Sequence, residues 1–453
     1  MTSRIAAAPD LTRSHSQVPH YVTAAAFLGC LALLLLALVD VRRGFLFAAA
    51  DYTKIGAPSA TLYLDGRHLP LLLLGALGAW LAYRRMARLE EDPTASRPSL
   101  RSLSRALAAG LGVLLLVDLF TYRSVPASRI LASGQLGIGQ AIPHFPGWLK
   151  PLSDGFNYMA LVWHATTLGI LIGGLFLTVG SAPLRRLLGG KGFASHLAGA
   201  ALALPQPFCS CCAAPIGATL YRSGAALGPT LAFVVSAPML NITTLVLAVA
   251  LLPAEFALLR IAGGVVVAIL VTRATVLIAS RWVDEPRFPA ARPGALVRLA
   301  TGAMDAYNRL FHLEAFLSDT PADTPATLVR AWLGMSWHLA RIAVPVLFLG
   351  SVLTAAVVMV VPAPSNDALG LLAAAALGTL LMIPTWTEIP VAAGLLQAGL
   401  TAPAAALLLT LPAVSVPCLV ILAGAVSNLR VALLLGLSVF ATGLLAGGLF
   451  LLL

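Results

Sequence analysis

The chain has 453 residues, 59% hydrophobic and 10% charged, with a mean hydropathy of +0.91, far from the balance of a soluble domain. That composition excludes a large extramembrane enzyme and predicts a polytopic membrane protein, since apolar stretches of roughly 20 residues, enough to cross a bilayer, take up most of the chain. The 29 Lys and Arg against 18 Asp and Glu give a formal charge of +11, and in so apolar a chain this excess marks cytoplasmic loops rather than a nucleic-acid partner.

Taken in order, the first apolar run, 21 to 39, follows a polar start and has no small-residue cleavage site behind it. A retained helix is expected there, with no signal peptide. Further spans are expected at about 69–83, 103–121, 157–180, 229–250, 256–279, 332–360, 403–424 and 431–453, each bounded by charges, Pro or Gly. Two other apolar stretches, 194–221 and 370–400, are cut by Pro205, Pro207 and Pro215 and by Pro384 and Pro390, which predicts helical hairpins broken at mid-depth. If the N-terminus is cytoplasmic and both hairpins return to their starting side, cytoplasmic segments collect 20 of the 29 basic residues and outer loops 8, with Arg341 inside a span. The expected location is therefore the inner, cytoplasmic membrane, multi-pass, with the N-terminus inside. The polar segment 281–330 reads as a solvated connector, although 294–317 has the mixed pattern of a surface helix.

An internal repeat is visible from residue offsets: Pro215 to Pro390 and Gly224 to Gly399 are 175 apart, while Pro229 to Pro403, Pro238 to Pro412 and Trp163-His164 to Trp337-His338 are 174 apart. In the expected topology the two copies run in opposite directions, which predicts an all-α fold of inverted repeats with two re-entrant hairpins, as in secondary transporters. The chain then divides into an N-terminal three-helix segment (1–152), a first repeat (153–280), a cytoplasmic connector (281–330) and a second repeat (331–453).

The strongest local signal is Pro205-Gln206-Pro207-Phe208-Cys209-Ser210-Cys211-Cys212-Ala213-Ala214-Pro215. The first two prolines stop one half-helix and Pro215 suits the opening turn of the next. The three cysteines then sit at a helix N-terminus, where partial positive charge and open amides favour thiolates. Thiolates select soft species such as Cu(I), Zn(II) or trivalent arsenic, so Cys209, Cys211 and Cys212 are candidate metal and substrate ligands; the isolated Cys30 and Cys418 read as packing. The matching break, Pro384 to Pro390, carries Glu388, an intramembrane carboxylate and hence a candidate for proton coupling or for facing a cation; the competing role is a cap on its own half-helix. Asn241, after Pro238, and Ser415, after Pro412, occupy equivalent positions and either line the site or satisfy backbone freed by proline. His164 and His338 also match, and read as interhelical hydrogen-bond partners.

The motif Pro207-Phe-Cys209-Ser-Cys211-Cys212-Ala-Ala-Pro215-Ile, then Gly224, Ala232-Phe233 and Ala237-Pro238 through Asn241, with Pro390, Gly399 and Pro412 in the second half, resembles the predicted permease family that includes methylarsenite efflux permeases and candidate copper or zinc efflux proteins. The likeness covers about 157–280 and 332–453. It implies an efflux permease in which Cys209 and Cys211 match the family's paired cysteines. Cys212 stands where many members carry a small residue, which leaves a two-thiol or a three-thiol site open.

The sequence therefore predicts a secondary transporter, not an enzyme, exporting a thiophilic metal or metalloid species (an organoarsenical, As(III), Cu or Zn) through a midplane cysteine site. It calls for no cofactor, and the chain has no G-x-x-x-x-G-K-[ST] for nucleotide. The bilayer, the thiophile and protons as coupling ion are the expected partners; an oligomer is left open. Two other readings compete: a membrane thiol oxidoreductase, and a permease for an uncharged organic solute with the cysteines as packing.

Overall fold

The structure, a computed structural model, describes residues 18–47, 63–91, 97–133, 141–179, 186–204, 208–222, 224–283, 322–360, 365–383 and 387–452. All regular elements among them are helices, as a bilayer requires of segments that must satisfy their own backbone. Three leading helices, α1 (Val18–Arg43), α2 (His68–Glu90) and α3 (Arg97–Ser133), precede α4 (Lys150–Val179). Next come α5 (Phe193–Ala203), α6 (Ser210–Arg222), α7 (Leu227–Met239) and α8 (Ile242–Leu251). A continuous helix, α9, starts at Ala254–Leu258, passes through two π-helical stretches, Leu259–Gly263 and Val266–Val271, and ends as Thr272–Val283. The second half holds α10 (Pro325–Val360), α11 (Ala368–Leu380), α12 (Glu388–Gln397), α13 (Thr401–Thr410), α14 (Val416–Val426) and α15 (Leu429–Leu452).

The protein is an all-α polytopic membrane protein. Seven described helices or helix pairs are long and apolar enough to cross a membrane: Val18–Arg43, Ser99–Val125, Gly147–Val179, Leu227–Leu251, Ala254–Arg281, Pro325–Val360 and Leu429–Leu452. Two of the nine expected spans are missing from that set for local reasons. The apolar run of α2 gives way to Arg84, Arg85 and Arg88, and the stretch 403–424 is two short helices, α13 and α14. Pro205, Pro207, Pro384 and the segment 294–317 lie outside the described residues.

Six elements recur in the same order, α4–α9 and α10–α15, with α5 and α11 starting 175 residues apart and α8 and α14 starting 174 apart. The two leading members, α4 and α10, pack side by side and antiparallel: Gly155 lies against Val352 and Ser351, whereas Gly174 lies against Ser336. The Trp332 indole donates to the Leu171 carbonyl at 2.7 Å. A Cβ on Gly174 would fall 2.9 Å from the Ser336 backbone nitrogen, so only glycine allows this approach. The leading helices dock on the repeats through polar contacts, with Glu90 at the end of α2 accepting from the Ala326 amide and the Thr324 hydroxyl at the start of α10. Burial raises the Glu90 pKa, and these two donors pull it back only in part.

Candidate functional site

Helices α5 and α6 have 11 and 13 residues, about 17 and 20 Å at 1.5 Å per residue, too short to cross a bilayer singly. α6 opens earlier than the prolines imply: Cys209 already accepts from the amides of Cys212 (3.1 Å) and Ala213 (2.9 Å). Pro215 consequently sits inside α6 rather than in its opening turn. Because it has no N–H, the Cys211 carbonyl loses its donor four residues on.

Cys209 and Cys212 share one face of this first turn, their Sγ atoms 3.0 Å apart. The two sulfurs are not joined as a disulfide, which would hold them at about 2.05 Å. The Cys211 side chain lies outside those described. Cys209 is buried among Ala343 and Leu347 of α10, Met382, and Tyr158 and Met159 of α4. Cys212 lines a narrow cleft of about 10 Å³, room for about one water, with Thr166, Gly169 and Ile170 of α4, Pro215, Ile216, and Leu339, Ala343 and Leu347 of α10. The approach of α4 uses a Gly-x-x-x-Gly face: a Cβ on Gly169 would be 3.7 Å from the Cys212 Cβ, and one on Gly173 would be 2.8 Å from Ile216.

The second repeat completes this site with α14. Ser415, its N-cap residue, brings its hydroxyl to 3.4 Å from that of Ser210, both buried, and the Arg222 guanidinium at the other end of α6 donates to the Gly424 carbonyl. α6 and α14 therefore run in parallel with their N-termini together. Each terminus carries about half a positive charge, so the thiols face a field worth roughly one cation. Cys418, in the first turn of α14, is fully buried in the main apolar core with Ala413, Val414 and Leu422. This agrees with its reading as packing.

Asn241 and Glu388 belong to the pseudo-equivalent break. Asn241 is the N-cap residue of α8, its Oδ1 accepting from the Thr243 amide at 3.0 Å. Glu388 opens α12, is buried, and its Oε1 accepts from Arg260 Nη2 at 3.2 Å. Arg260, on α9, also donates to the Met239 and Pro238 carbonyls at 2.8 and 3.2 Å, the acceptors exposed where α7 ends. Sequence reasoning missed Arg260 by counting it with the outer loops, although an arginine inside the apolar run 256–279 was its signature. The contacts described for Glu388 run to α9 rather than to the thiols. Four buried polar atoms around this break, Ser236 Oγ, Asn241 Nδ2, Thr244 Oγ1 and Arg260 Nε, have no hydrogen-bond partner among the described residues.

The two matched histidines part ways. His164 is buried and bonds Asp118 of α3 through Nε2 at 3.0 Å, an interhelical tie, whereas His338 is half-buried. Among the described residues no group of three His, Cys, Asp or Glu side chains converges as a metal site. Tetrahedral zinc at about 2.3 Å from each sulfur would hold two thiolates roughly 3.8 Å apart. The 3.0 Å pair would have to open to take it.

A predicted permease family matches residues 152–450, which takes in both six-helix halves. The chain belongs to this family. It is 32% identical over 312 residues to the UPF0718 protein YraQ of Escherichia coli K12, covering 67% of this chain and 82% of that one. It is 26% identical over 285 residues to the UPF0718 protein MJ0584 of Methanocaldococcus jannaschii, covering 53% of this chain and 78% of the relative. No solved structure matches. The permease is thus a transporter-class, multi-pass membrane protein, and the helices before residue 152 lie outside the matched segment.

Proposed function

We propose that this permease exports a thiophilic metal or metalloid species through the thiols at the start of α6. The observation that carries the reading is the pair Cys209 and Cys212, 3.0 Å apart, set where two helix N-termini from different halves meet. Soft thiolates bind trivalent arsenic, Cu(I) or Zn(II), and Ser210 and Ser415 supply further donors; Cys211 belongs to the set by its place in the motif. The cleft beside Cys212 is lined mainly by apolar groups, which favours a small species of low charge, such as an organoarsenical, over a hydrated cation.

In this reading α4–α9 and α10–α15 are inverted repeats in the inner membrane, the N-terminus is cytoplasmic, and α5–α6 and α11–α12 are re-entrant hairpins. The antiparallel packing of α4 on α10 supports the inversion. The second break, with Glu388, Arg260, Asn241 and its unpartnered polar atoms, is the proton-coupling element. The test exposes cells expressing the protein to As(III), methylated arsenicals, Cu, Zn and Hg. Protection against at least one, lost in Cys209→Ser with Cys212→Ser at equal expression, is the expected result; full protection by the double variant overturns the ligand role.

One observation favours a second reading. Cys209 and Cys212 form a C-x-x-C pair at a helix N-terminus, the arrangement of thiol–disulfide exchange. A membrane thiol oxidoreductase would need this pair to cycle at a measurable potential with a dithiol or quinone, and the same double variant separates the readings through dithiol oxidation in vesicles.

A further inference from the structure

The two thiols are not the only soft donors where they lie. Cys209 and Cys212 pack in one cluster with Met382 and Met159, the first buried and the second half-buried. Met159 comes from α4 in the first half, and Met382 follows the end of α11 in the second, so the segment leading into the second break also reaches the thiols. Met382 is held there by α10. Its amide donates to the Thr354 hydroxyl at 3.0 Å, and a Cβ on Gly350 would lie 3.5 Å from its sulfur. Ala343 and Leu347, which pack on Cys209, fall with Gly350 and Thr354 at i, i+4, i+7 and i+11, on one face of α10.

Methionine is a flexible gap-filler in many cores, but it is scarce here. The chain has eight methionines in 453 residues, yet two of the six residues grouped with the thiols are methionine, and the filling of gaps alone calls for no such concentration. A thioether also differs from a thiolate in what it binds. It is neutral, has a polarisable sulfur and has no proton to lose. Zinc takes thiolate, imidazole and carboxylate ligands. Trivalent arsenic condenses with thiols, each S–H and As–OH giving an As–S bond and a water, a step closed to a thioether. Cu(I) takes both kinds of sulfur.

We infer that Met159 and Met382 are thioether ligands that complete the thiol site, and that they set its selectivity toward a soft, singly charged metal ion of the Cu(I) kind. The inference rests on the thiol reading proposed above and narrows what that site carries. Thioethers add donors without adding charge, and an ion held by sulfur sheds its water, so the apolar lining beside Cys212 that disfavours a hydrated cation admits this one. Loading has to part the thiol sulfurs from 3.0 Å, and methionine, unbranched with three rotatable bonds, can follow that movement from either side.

The test uses the purified full chain in detergent under anaerobic, reducing conditions. Cu(I) affinity is measured by competition with a coloured Cu(I) chelator, and binding of phenylarsine oxide, a trivalent arsenical that needs only two thiols, by thermal shift. M159L/M382L keeps both side chains apolar and near their volume. It should bind Cu(I) about tenfold more weakly or worse and the arsenical as wild type does, whereas C209S/C212S should lose both. If M159L/M382L fails to fold, wild-type chain grown with selenomethionine and loaded with Cu(I) carries the comparison: X-ray absorption at the copper edge should show selenium among the nearest neighbours. No Cu(I) binding by the wild type, equal Cu(I) affinity in M159L/M382L, or no selenium beside the copper overturns the inference, and arsenical binding by the same preparation then leaves the thiol reading standing. Cu(I) affinity unchanged in C209S/C212S overturns both.

Discussion

Replacing Glu388 by Gln keeps the side chain's size and an acceptor but removes the charge facing Arg260 at 3.2 Å. At an effective dielectric constant of about 20 the attraction at that distance is about 5 kcal/mol, and removing one partner of a buried pair costs about 3–5 kcal/mol in proteins. Arg260→Met should cost as much, because it leaves the Glu388 carboxylate buried and also strips a donor from the Pro238 and Met239 carbonyls, at about 1–3 kcal/mol for buried acceptors. The double variant removes both charges. It should lose only about 2–4 kcal/mol, well short of the roughly 6–10 kcal/mol sum of the singles. Equilibrium unfolding in mixed micelles, titrated with a denaturing detergent, measures all three. Single variants within about 1 kcal/mol of wild type, or a double variant as damaged as the sum, would refute the buried pair as a lock between the halves. Flux in proteoliposomes then separates structure from coupling: if the double variant regains stability yet has lost its dependence on the proton gradient, Glu388 is the coupling group, whereas gradient-driven flux at the wild-type rate assigns it to structure alone.

Cys209→Ser and Cys212→Ser should each cut thiophile resistance about tenfold or more, since a hydroxyl does not ionise near neutral pH and is a poor soft-metal ligand; dose–response curves at matched expression measure it, and an unchanged curve for either removes that thiol from the site. Reporters near Lys191 and Arg292 should be cytoplasmic and one near Asn366 external; the same side for Lys191 and Asn366 would mean the halves are not inverted. Glu90→Gln should flatten one part of the stability profile with pH. The folded pKa of Glu90 is raised by burial, so its contribution is fully present below the unfolded value and is lost as pH rises through the folded one. The Gln variant should therefore match wild type in acid and exceed it near neutral pH in thermal unfolding, and a lower Tm at neutral pH would contradict that sign.

Much of the fold was legible because hydrophobic length and helix-breaking residues act locally. The run 21–39, the breaks at Pro238 and Pro412, and the recurrence by 174 or 175 residues all follow from which side chains tolerate hydrocarbon and which residues lack an N–H. What escaped the sequence is what distant segments settle between them. Pro215 looked like a helix start, but Cys209 accepts two amides upstream and opens α6 first. Arg260 was absorbed into a loop count because its counter-charge, Glu388, lies 128 residues on.

The cross-pairing of the halves bears on how such a molecule would move. The thiol break of the first half is closed by α14 of the second, and the carboxylate break of the second half is held by α9 of the first. Neither half therefore owns a complete site, and rocking one half against the other must alter both breaks at once. The hydroxyl contact at 3.4 Å between Ser210 and Ser415 is weak and easily parted, whereas the Arg260–Glu388 pair with its two carbonyl bonds is strong. The stronger joint then sets which arrangement is populated, and a ligand at the weaker one can shift the balance only by the difference in its affinity for the two arrangements. Loss of the buried charge at Glu388 would lower that threshold, so under the proposed function a carboxylate in this position would tie thiophile release to a proton without touching the thiols.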